Sequence, residues 1–281
     1  MTTWKLRYAS HLGYRSSDTP LFLHSVGSLD PLRHIEFAAG LGFAGVQYAL
    51  ARTRTVDEQR LVGDALRRAG LEAGCVLYAP LHMAVQPLWA SADPAERDTI
   101  ADEIDQAIEC ARRVGSRHIA VIGGANPRAP LAWQQVALVE NLRRVAERVE
   151  RAGMVLCLES ISRRSLPNML LHHIGEAYTV VKSVGSPAVR LIFDTSHVQI
   201  MDGDILANLD ACWDAVAVVQ LADNPGRLEP GTGELNFPNI LRVLASRGFD
   251  GLVELEHGWT AATAAVEARG IEWLRQVDAE L

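Results

Sequence analysis

The chain has 281 residues, of which 48% are hydrophobic and 22% are charged, and its formal net charge is −7. These proportions are ordinary for a globular protein, and we expect one domain over residues 1–281, because α/β barrels occupy this length as a unit. The acidic balance, without any extended Lys/Arg block, argues against a nucleic-acid partner. No apolar run approaches the roughly 18 residues of a membrane-spanning helix, so we expect no membrane association.

The N-terminus and the cysteines show no feature of an exported protein. The segment MTTWKLRYASHLGYRSSD lacks the continuous apolar stretch and the cleavage site of a secretory signal, so we expect a cytoplasmic location. The cysteines at positions 75, 110, 157 and 212 have no short paired spacing of the kind found in zinc knuckles or redox pairs. Their expected role is that of small buried hydrophobic residues.

Eight short apolar runs alternate with longer segments of helical spacing along the chain. The runs are rich in Val, Ile, Leu and Tyr, whereas the segments between them repeat apolar residues three and four apart, as a helix with one buried face requires. Pro31 and Pro94 suit the first turn of a helix. The predicted strands are 7–12, 44–49, 73–79, 118–123, 154–159, 190–194, 216–221 and 251–256, and the clearest predicted helices are 31–41, 95–114 and 132–152.

This alternation predicts a (β/α)8 barrel of the α/β class. Strands that are apolar on both faces and separated by helices pair in parallel, and eight such units close most economically into a barrel. The alternative is an open doubly wound sheet, but no glycine-rich nucleotide-binding sequence follows the first strand. Polar residues also lie at the ends of several different strands, which is typical of a barrel with its site at the C-terminal ends of the strands.

Four of the later strands end in, or lead directly into, a side chain whose oxygen can bind a metal ion. These residues are Glu159, Asp194, Gln220 and Glu256. In a barrel these ends share one opening, where each close pair of carboxylates would repel by about 4 kcal/mol at an effective dielectric near 20. Any one of them could instead cap the following helix, but the four together predict a metal site. An all-oxygen set favours Mn²⁺ or Mg²⁺ over Zn²⁺, with Co²⁺ as an alternative.

Two further side chains are predicted beside this site. His197 follows the aspartate of DTSHVQIMDGD by three residues, which places an imidazole on the same side; the alternative is a core histidine bonded to a backbone carbonyl. Arg227 lies in a long loop rich in Gly, Pro, Asn and Asp, where it could bind a substrate carboxylate or form a surface ion pair with Glu229 or Glu234. The Gly231–Gly233 turn of that loop gives a weaker indication of a phosphate site.

The segments around these residues resemble one known family. DTSHVQIMDGD, VQLADNPGRLEPGTGELNFPNIL and FDGLVELEHG, all in the C-terminal half, are similar to the hydroxypyruvate isomerase group of the xylose isomerase-like barrel superfamily, which also includes ketose 3-epimerases. The resemblance implies that the four strand-end residues hold one divalent cation, and that Glu159 and Glu256 also form the acid–base pair. It further implies that His197 and Arg227 hold the oxygens of the substrate.

The same resemblance implies the reaction. It would interconvert the aldehyde and ketone forms of a small sugar or sugar acid through a metal-stabilised enediolate. A ketose 3-epimerase, or a dehydratase or decarboxylase of a keto-sugar acid, remains an alternative because each would use the same site and form an enediolate. Barrels of this group associate, so the resemblance also implies a homo-oligomer.

The N-terminal half departs from the pattern of the group. YAPLHMAVQPLWASADPAE stands in place of an Asn- and Pro-containing segment after the third strand, and Ser165 stands where an acidic residue is usual. Both places contact substrate in relatives, so we expect an altered substrate pocket. Its candidate lining residues are Tyr48, His82, Trp89 and Trp259, of which we assign Tyr48 and His82 to substrate binding.

Two other classes of function are less compatible with the sequence. Endonucleases that act on abasic sites have a similar barrel, but they carry several more histidines for a zinc cluster, and the net charge of −7 opposes DNA binding. A non-catalytic barrel that binds a sugar or a partner protein would have no need for the intact set of ligands, although the fold alone decides nothing.

Overall fold

A computed structural model describes residues 4–281 as a curled, wholly parallel sheet surrounded by helices. The strands are β1 (Arg7–His11), β2 (Gly45–Gln47), β3 (Glu72–Ala73), β4 (Val76–Leu77), β5 (His118–Val121), β6 (Val155–Leu158), β7 (Val189–Asp194), β8 (Val216–Gln220) and β9 (Leu252–Glu254). The sheet order is β3-β2-β1-β9-β8-β7-β6-β5-β4. An isolated parallel bridge joins Ala73 of β3 to Ser116, two residues before β5, so β3 and β4 share one of eight strand positions between β2 and β5, and the predicted (β/α)8 barrel is confirmed.

The helices begin where the sequence places capping residues and prolines. Asp30 caps α2 and Asp93 caps α5, and in each case a proline occupies the first turn. In the part of the chain that the structure describes, no helix is long and apolar enough to cross a membrane. The helices are α1 (Leu23–Val26), α2 (Pro31–Leu41), α3 (Val56–Ala69), α4 (Leu81–Ala84), α5 (Pro94–Val114), α6 (Leu131–Arg151), α7 (Ile174–Val184), α8 (Thr195–Met201), α9 (Ile205–Cys212), α10 (Phe237–Ser246) and α11 (Ala264–Ala279).

Burial explains why the strands are apolar throughout. Val46, Ile119 and Leu156 are fully buried, because one face of each strand points into the barrel and the other packs beneath the helices. The four cysteines are also buried and free, as their spacing predicted. The core therefore lies in two layers, one inside the barrel and one between the barrel and its helices.

The third predicted strand, 73–79, is wrong as a continuous element, because it is interrupted between β3 and β4. At the break, the backbone N–H of Cys75 turns inward and donates to the carboxylate of Glu254 at 2.7 Å. A Cβ at Gly74 would overlap that same carboxylate. At this point the side chain of Glu254, from across the barrel, accepts the backbone hydrogen bond that a neighbouring strand would otherwise accept.

The contact between α3 and α5 supports a test of the packing. Gly63 of α3 is buried, and a Cβ there would overlap the carbonyl oxygen of Arg113 in α5. We expect Gly63→Ala to lower the free energy of unfolding by about 1–3 kcal/mol through overpacking. Gly40 of α2 is exposed with nothing within 4 Å of its Cβ position, so Gly40→Ala should instead add up to about 1 kcal/mol. Urea unfolding measures both, and equal effects would contradict the close contact.

Candidate active site

The C-terminal ends of the barrel strands surround a cavity of about 310 Å³. This volume suits a small molecule rather than a polymer. Its apolar wall is formed by Ala49, Cys75, Leu77, Leu81, Ala120, Ile161 and Leu166. Its polar lining consists of Tyr14, Arg15, Gln47, Glu159, Ser165, His197, Gln220, Arg227 and Glu256.

Four adjacent strands bring the predicted metal ligands to this cavity. Asp194 and Gln220 are the last residues of β7 and β8 and are register partners across that pair of strands. Glu159 directly follows β6, and Glu256 lies two residues beyond β9. Because parallel strands end at the same rim of a barrel, all four residues lie at one end of it. Glu159, Gln220 and Glu256 line the cavity, and Asp194 is buried next to it, with a ligand atom within 4.8 Å of one on Glu159.

Arg227 neutralises part of the negative charge at this opening. Its Nη2 lies 2.6 Å from Oδ2 of Asp194 and its Nη1 lies 3.2 Å from Oδ1, so the ion pair is bidentate. The same Nη2 lies 3.3 Å from Oε1 of Glu256. The predicted alternative, a surface pair with Glu229 or Glu234, is wrong, because the guanidinium is buried among the site carboxylates.

His197 lies between two of the carboxylates. Its Nε2 is 3.6 Å from Oε1 of Glu159, and its backbone N–H donates to Asp194 at 2.8 Å. Potential ligand atoms of Glu159, Asp194 and His197 all lie within 4.8 Å of one another, a spacing that one metal ion can bridge. Burial lowers the pKa of His197 to about 4, so its imidazole is neutral near pH 7 and offers a lone pair.

Burial and the neighbouring charges shift the pKa values of the three site carboxylates in different directions. Burial, together with Glu256 and Asp194, raises the pKa of Glu159 well above its ordinary value. Burial, together with Asp194, also raises the pKa of Glu256 to about 7. Although burial opposes it, the charge of Arg227 and the hydrogen bonds from Arg227 and from the backbone N–H of His197 hold the pKa of Asp194 below its ordinary value. Protons or a cation must relieve the remaining repulsion.

The donor atoms present fit a divalent cation. Gln220 lines the cavity, and its Oε1 is buried without a hydrogen-bond partner within residues 4–281. A buried amide oxygen without a donor is costly unless something else binds it, and a hard cation would do so. Together with the carboxylates of Glu159, Asp194 and Glu256, it would form an oxygen-only set of the kind that hard divalent cations prefer.

Tyr48 and His82, both predicted to bind substrate, do not line this cavity. The hydroxyl of Tyr48 points away from it and donates to Glu58 at 2.6 Å. Successive residues of an extended chain point to opposite sides, and Gln47 is the one that points inward. His82 is exposed on α4, where its neighbour Leu81 borders the cavity instead.

The two tryptophans proposed for the pocket also lie outside it. Trp89 is fully buried and packs edge-on against Tyr78, with ring centroids 5.4 Å apart. Trp259 donates from its indole N–H to the carbonyl oxygen of Leu21 at 2.5 Å. Both are packing residues, so the aromatic contribution to the cavity comes from Tyr14.

The Gly231–Gly233 turn is not a free anion site. Its two glycine N–H groups donate to the buried carboxylate of Asp223, at 3.0 Å and 2.8 Å, and that carboxylate also accepts two further backbone N–H groups. The indication of a phosphate site is therefore wrong, because the donors are already used. Sequence reasoning missed Asp223, whose position just after β8 in a Gly- and Pro-rich loop was the available indication. It holds the loop that carries Arg227.

Sequence reasoning also missed Glu254, which lies inside the barrel below the rim. It is fully buried and accepts hydrogen bonds from Cys75 N–H, from Gln47 and from Gln220. The alternation of the strand could have revealed it, since Glu254 and Glu256 are two residues apart and side chains at that spacing leave a strand on the same side.

The chain belongs to the xylose isomerase-like TIM barrel family, whose model matches residues 35–277. It is 28% identical over 256 residues to the hydroxypyruvate isomerase of Escherichia coli (strain K12), covering 88% of this chain and 94% of that one. It is 29% identical over 239 residues to the 2-oxo-tetronate isomerase of Cupriavidus necator, covering 85% and 89% of the two chains. The predicted family is thereby confirmed.

Solved structures of similar shape include two that cover nearly the whole chain. An AP endonuclease of family 2 from Brucella melitensis matches with a TM-score of 0.80 and 25% identity, over 96% of this chain and 98% of that one. A D-psicose 3-epimerase structure matches with a TM-score of 0.75 and 18% identity, over 98% and 97%, and shows the shared fold alone. With the isomerases above as relatives, the protein is an enzyme of the isomerase or epimerase type.

Proposed function

We propose that this protein is a divalent-metal-dependent isomerase that interconverts the aldehyde and ketone forms of a small sugar acid. The proposal depends on one observation: the carboxylates of Glu159 and Glu256 line a cavity of small-molecule size together with Gln220, whose amide oxygen has no partner within residues 4–281, and Asp194 has a ligand atom within 4.8 Å of one on Glu159. The names of its relatives, hydroxypyruvate isomerase and 2-oxo-tetronate isomerase, support this substrate class.

Four side chains at the rim of the barrel would bind the cation. Glu159, Asp194, Gln220 and Glu256 would hold Mn²⁺ or Mg²⁺, with Co²⁺ as an alternative, and His197 lies close enough to contribute. When bound, the cation supplies Lewis-acid polarisation of a carbonyl and a neighbouring hydroxyl. Arg227 fixes the orientation of Asp194 through its bidentate pair.

Glu159 and Glu256 are placed to move the proton. They leave β6 and β9, which are separated in the sheet by β7 and β8, so they approach a bound molecule from different sides. One carboxylate removes the proton from the carbon beside the carbonyl, giving an enediolate, and a proton is then returned to the adjacent carbon. His197, neutral and buried, is positioned to accept a hydrogen bond from a substrate hydroxyl.

The positively charged side chain of Arg15 at the cavity favours a substrate with a carboxylate over a neutral ketose. Arg15 borders the cavity and makes neither an ion pair nor a hydrogen bond with any residue in 4–281, although its guanidinium lies 5.4 Å from the ring of Tyr14. Arg227 is occupied by the site carboxylates. Ser165, which also borders the cavity, adds no negative charge to offset Arg15.

Three related reactions could use the same site through an enediolate. A ketose 3-epimerase would return the proton to the opposite face of the carbon, and a dehydratase would expel a hydroxyl group from the enediolate as water. A decarboxylase would instead form the enediolate by loss of CO₂. Incubation with hydroxypyruvate, tartronate semialdehyde and a panel of ketoses, followed by NMR identification of products, separates them. Homo-oligomerisation, a cytoplasmic location and the absence of a nucleic-acid partner stay predictions, as does the extent of the domain.

Glu159→Gln tests the proton transfer directly. The amide keeps the shape of the side chain but cannot take up the proton, so we expect kcat to fall by about 10²–10⁴-fold while the protein stays folded. Incorporation of solvent deuterium into the substrate, followed by NMR in D₂O, should fall in parallel. Glu36→Gln, on the exposed side of α2, is the control and should retain wild-type turnover. Undiminished deuterium exchange in Glu159→Gln would contradict the assignment.

Arg15→Gln tests the preference for an acid. A tenfold change in binding corresponds to about 1.4 kcal/mol, the size expected for one partly exposed charged contact. We therefore expect the inhibition constant or KM of hydroxypyruvate to rise about tenfold, with that of neutral dihydroxyacetone unchanged. Arg33→Gln on α2, also exposed, should alter neither. A similar effect of Arg15→Gln on both compounds, or on neither, would exclude a carboxylate contact.

A further inference from the structure

We propose that Glu254 is a positioning residue that fixes the side-chain amide of Gln220, so that Oε1 faces the cavity and can bind a divalent cation. The inference rests on the proposed metal-dependent function and gives a role to a side chain that lies outside the set of ligands. Glu254 is fully buried and does not border the cavity itself. It would therefore act through Gln220 rather than on the substrate.

The sheet register places the two side chains together. Gln220 of β8 pairs with Glu254 of β9, so both point into the barrel at the same level. Nε2 of Gln220 donates to Oε2 of Glu254 at 2.9 Å. The other carboxylate oxygen, Oε1, accepts the backbone N–H of Cys75 at 2.7 Å, which ties Glu254 to the opposite wall.

The chemistry of a carboxylate determines which end of the amide faces it. Each oxygen of Glu254 already accepts a donor, so the group facing it from Gln220 must be the NH₂ and not the carbonyl. The amide oxygen is then directed away from Glu254. Consistent with this, Oε1 of Gln220 is the atom left without a partner where the residue borders the cavity. The opposite orientation would present N–H groups to the cation and repel it.

Gln47 is held in the same way and strengthens the arrangement. Its Nε2 donates to Oε2 of Glu254 at 2.8 Å and to Oε2 of Glu256 at 3.1 Å, and its own Oε1 is also buried without a partner. One oxygen of Glu254 therefore accepts from two amides, and both glutamines line the cavity and keep an amide oxygen without a partner within residues 4–281. Gln47 in addition links Glu254 to Glu256, one of the proposed ligands.

The barrel is locally altered to accommodate this carboxylate. A Cβ at Gly74 would overlap Oε1 of Glu254, and the strand is broken between β3 and β4 at this point. Burial of an ionisable group is unfavourable unless its hydrogen bonds are satisfied, and a residue needed only for packing would be apolar. Three donors directed at one buried carboxylate indicate an orienting role.

Glu254→Gln is the first test, because it keeps the shape and removes one acceptor. The new amide would direct its oxygen to the N–H of Cys75 and its NH₂ toward the two glutamines. Gln47 and Gln220 would then have to turn their oxygens toward it and their NH₂ groups toward the cavity. We expect Mn²⁺ to bind about 10–100-fold more weakly in calorimetric titrations, as is usual when an outer partner of a metal ligand is lost.

A second substitution should restore binding. In Glu254→Gln combined with Gln220→Glu, the glutamate at 220 accepts the new NH₂ with one oxygen and offers the other to the cation. We expect the Mn²⁺ affinity to return to within about threefold of wild type. Failure of the double variant to recover affinity would overturn the positioning role, because a contribution of Glu254 to packing alone would not be restored by a change at Gln220.

Glu267→Gln is the matched control. Glu267 is equally buried and accepts two backbone N–H groups, but it lies away from the cavity. Its substitution should leave Mn²⁺ affinity unchanged. If the wild type binds no Mn²⁺, the proposed function fails and not this inference alone. If the wild type and a folded Glu254→Gln bind Mn²⁺ equally, the inference is wrong and the proposed function is untouched.

A measurement on the wild-type protein applies even if the variants do not fold. With ¹⁵N-labelled glutamine, the side-chain NH₂ of Gln220 should give a resonance that is protected from solvent exchange and stays protected when diamagnetic Mg²⁺ is added, since the NH₂ remains bonded to Glu254 while Oε1 binds the ion. Loss of that protection on Mg²⁺ binding would show that the amide is not held by Glu254.

Discussion

Three carboxylates from three strands lie at one rim of the barrel, with the guanidinium of Arg227 between two of them. Arg227 pairs with Asp194 and reaches Glu256, while Glu159 faces the neutral imidazole of His197. The two carboxylates of each close pair repel each other by about 4 kcal/mol at an effective dielectric near 20. Without a cation, burial and this repulsion raise the pKa values of Glu159 and Glu256, so that these carboxylates take up protons more easily. A divalent ion would satisfy the same charges and free both glutamates to exchange protons with a substrate.

Much of the surrounding structure serves to hold these charges in place. Asp223 gathers four backbone N–H groups of the loop that carries Arg227, so the guanidinium is delivered to the site by an ordered turn. Below the rim, Glu254 occupies space opened by Gly74 and orients Gln220. Polar groups that would be costly inside an apolar barrel are thus satisfied layer by layer, and the stability of the barrel and the geometry of its site depend on the same hydrogen bonds.

The sequence predicted the features that depend on local pattern, namely the strands and the residues at their C-terminal ends. Each apolar run ending in a polar residue identified both a strand and the end at which its side chain would emerge, which is why Asp194 and Gln220 lie where expected. Partners from distant parts of the chain could not be read this way. Whether Arg227 would pair with a surface glutamate or with Asp194 depends on how the loop folds back. Likewise the choice between Tyr48 and Gln47 depends on a shift of one residue, which the register of the sheet decides.

The central claim is that Glu159, Asp194, Gln220 and Glu256 gather around one hard cation. The most direct measurement is a crystal structure of the Mn²⁺-loaded protein with data collected at the manganese absorption edge. We expect one anomalous peak at this rim, within coordination distance of an oxygen from each of the four side chains. A peak elsewhere, or no peak at this rim with Mn²⁺ at saturating concentration, would contradict it.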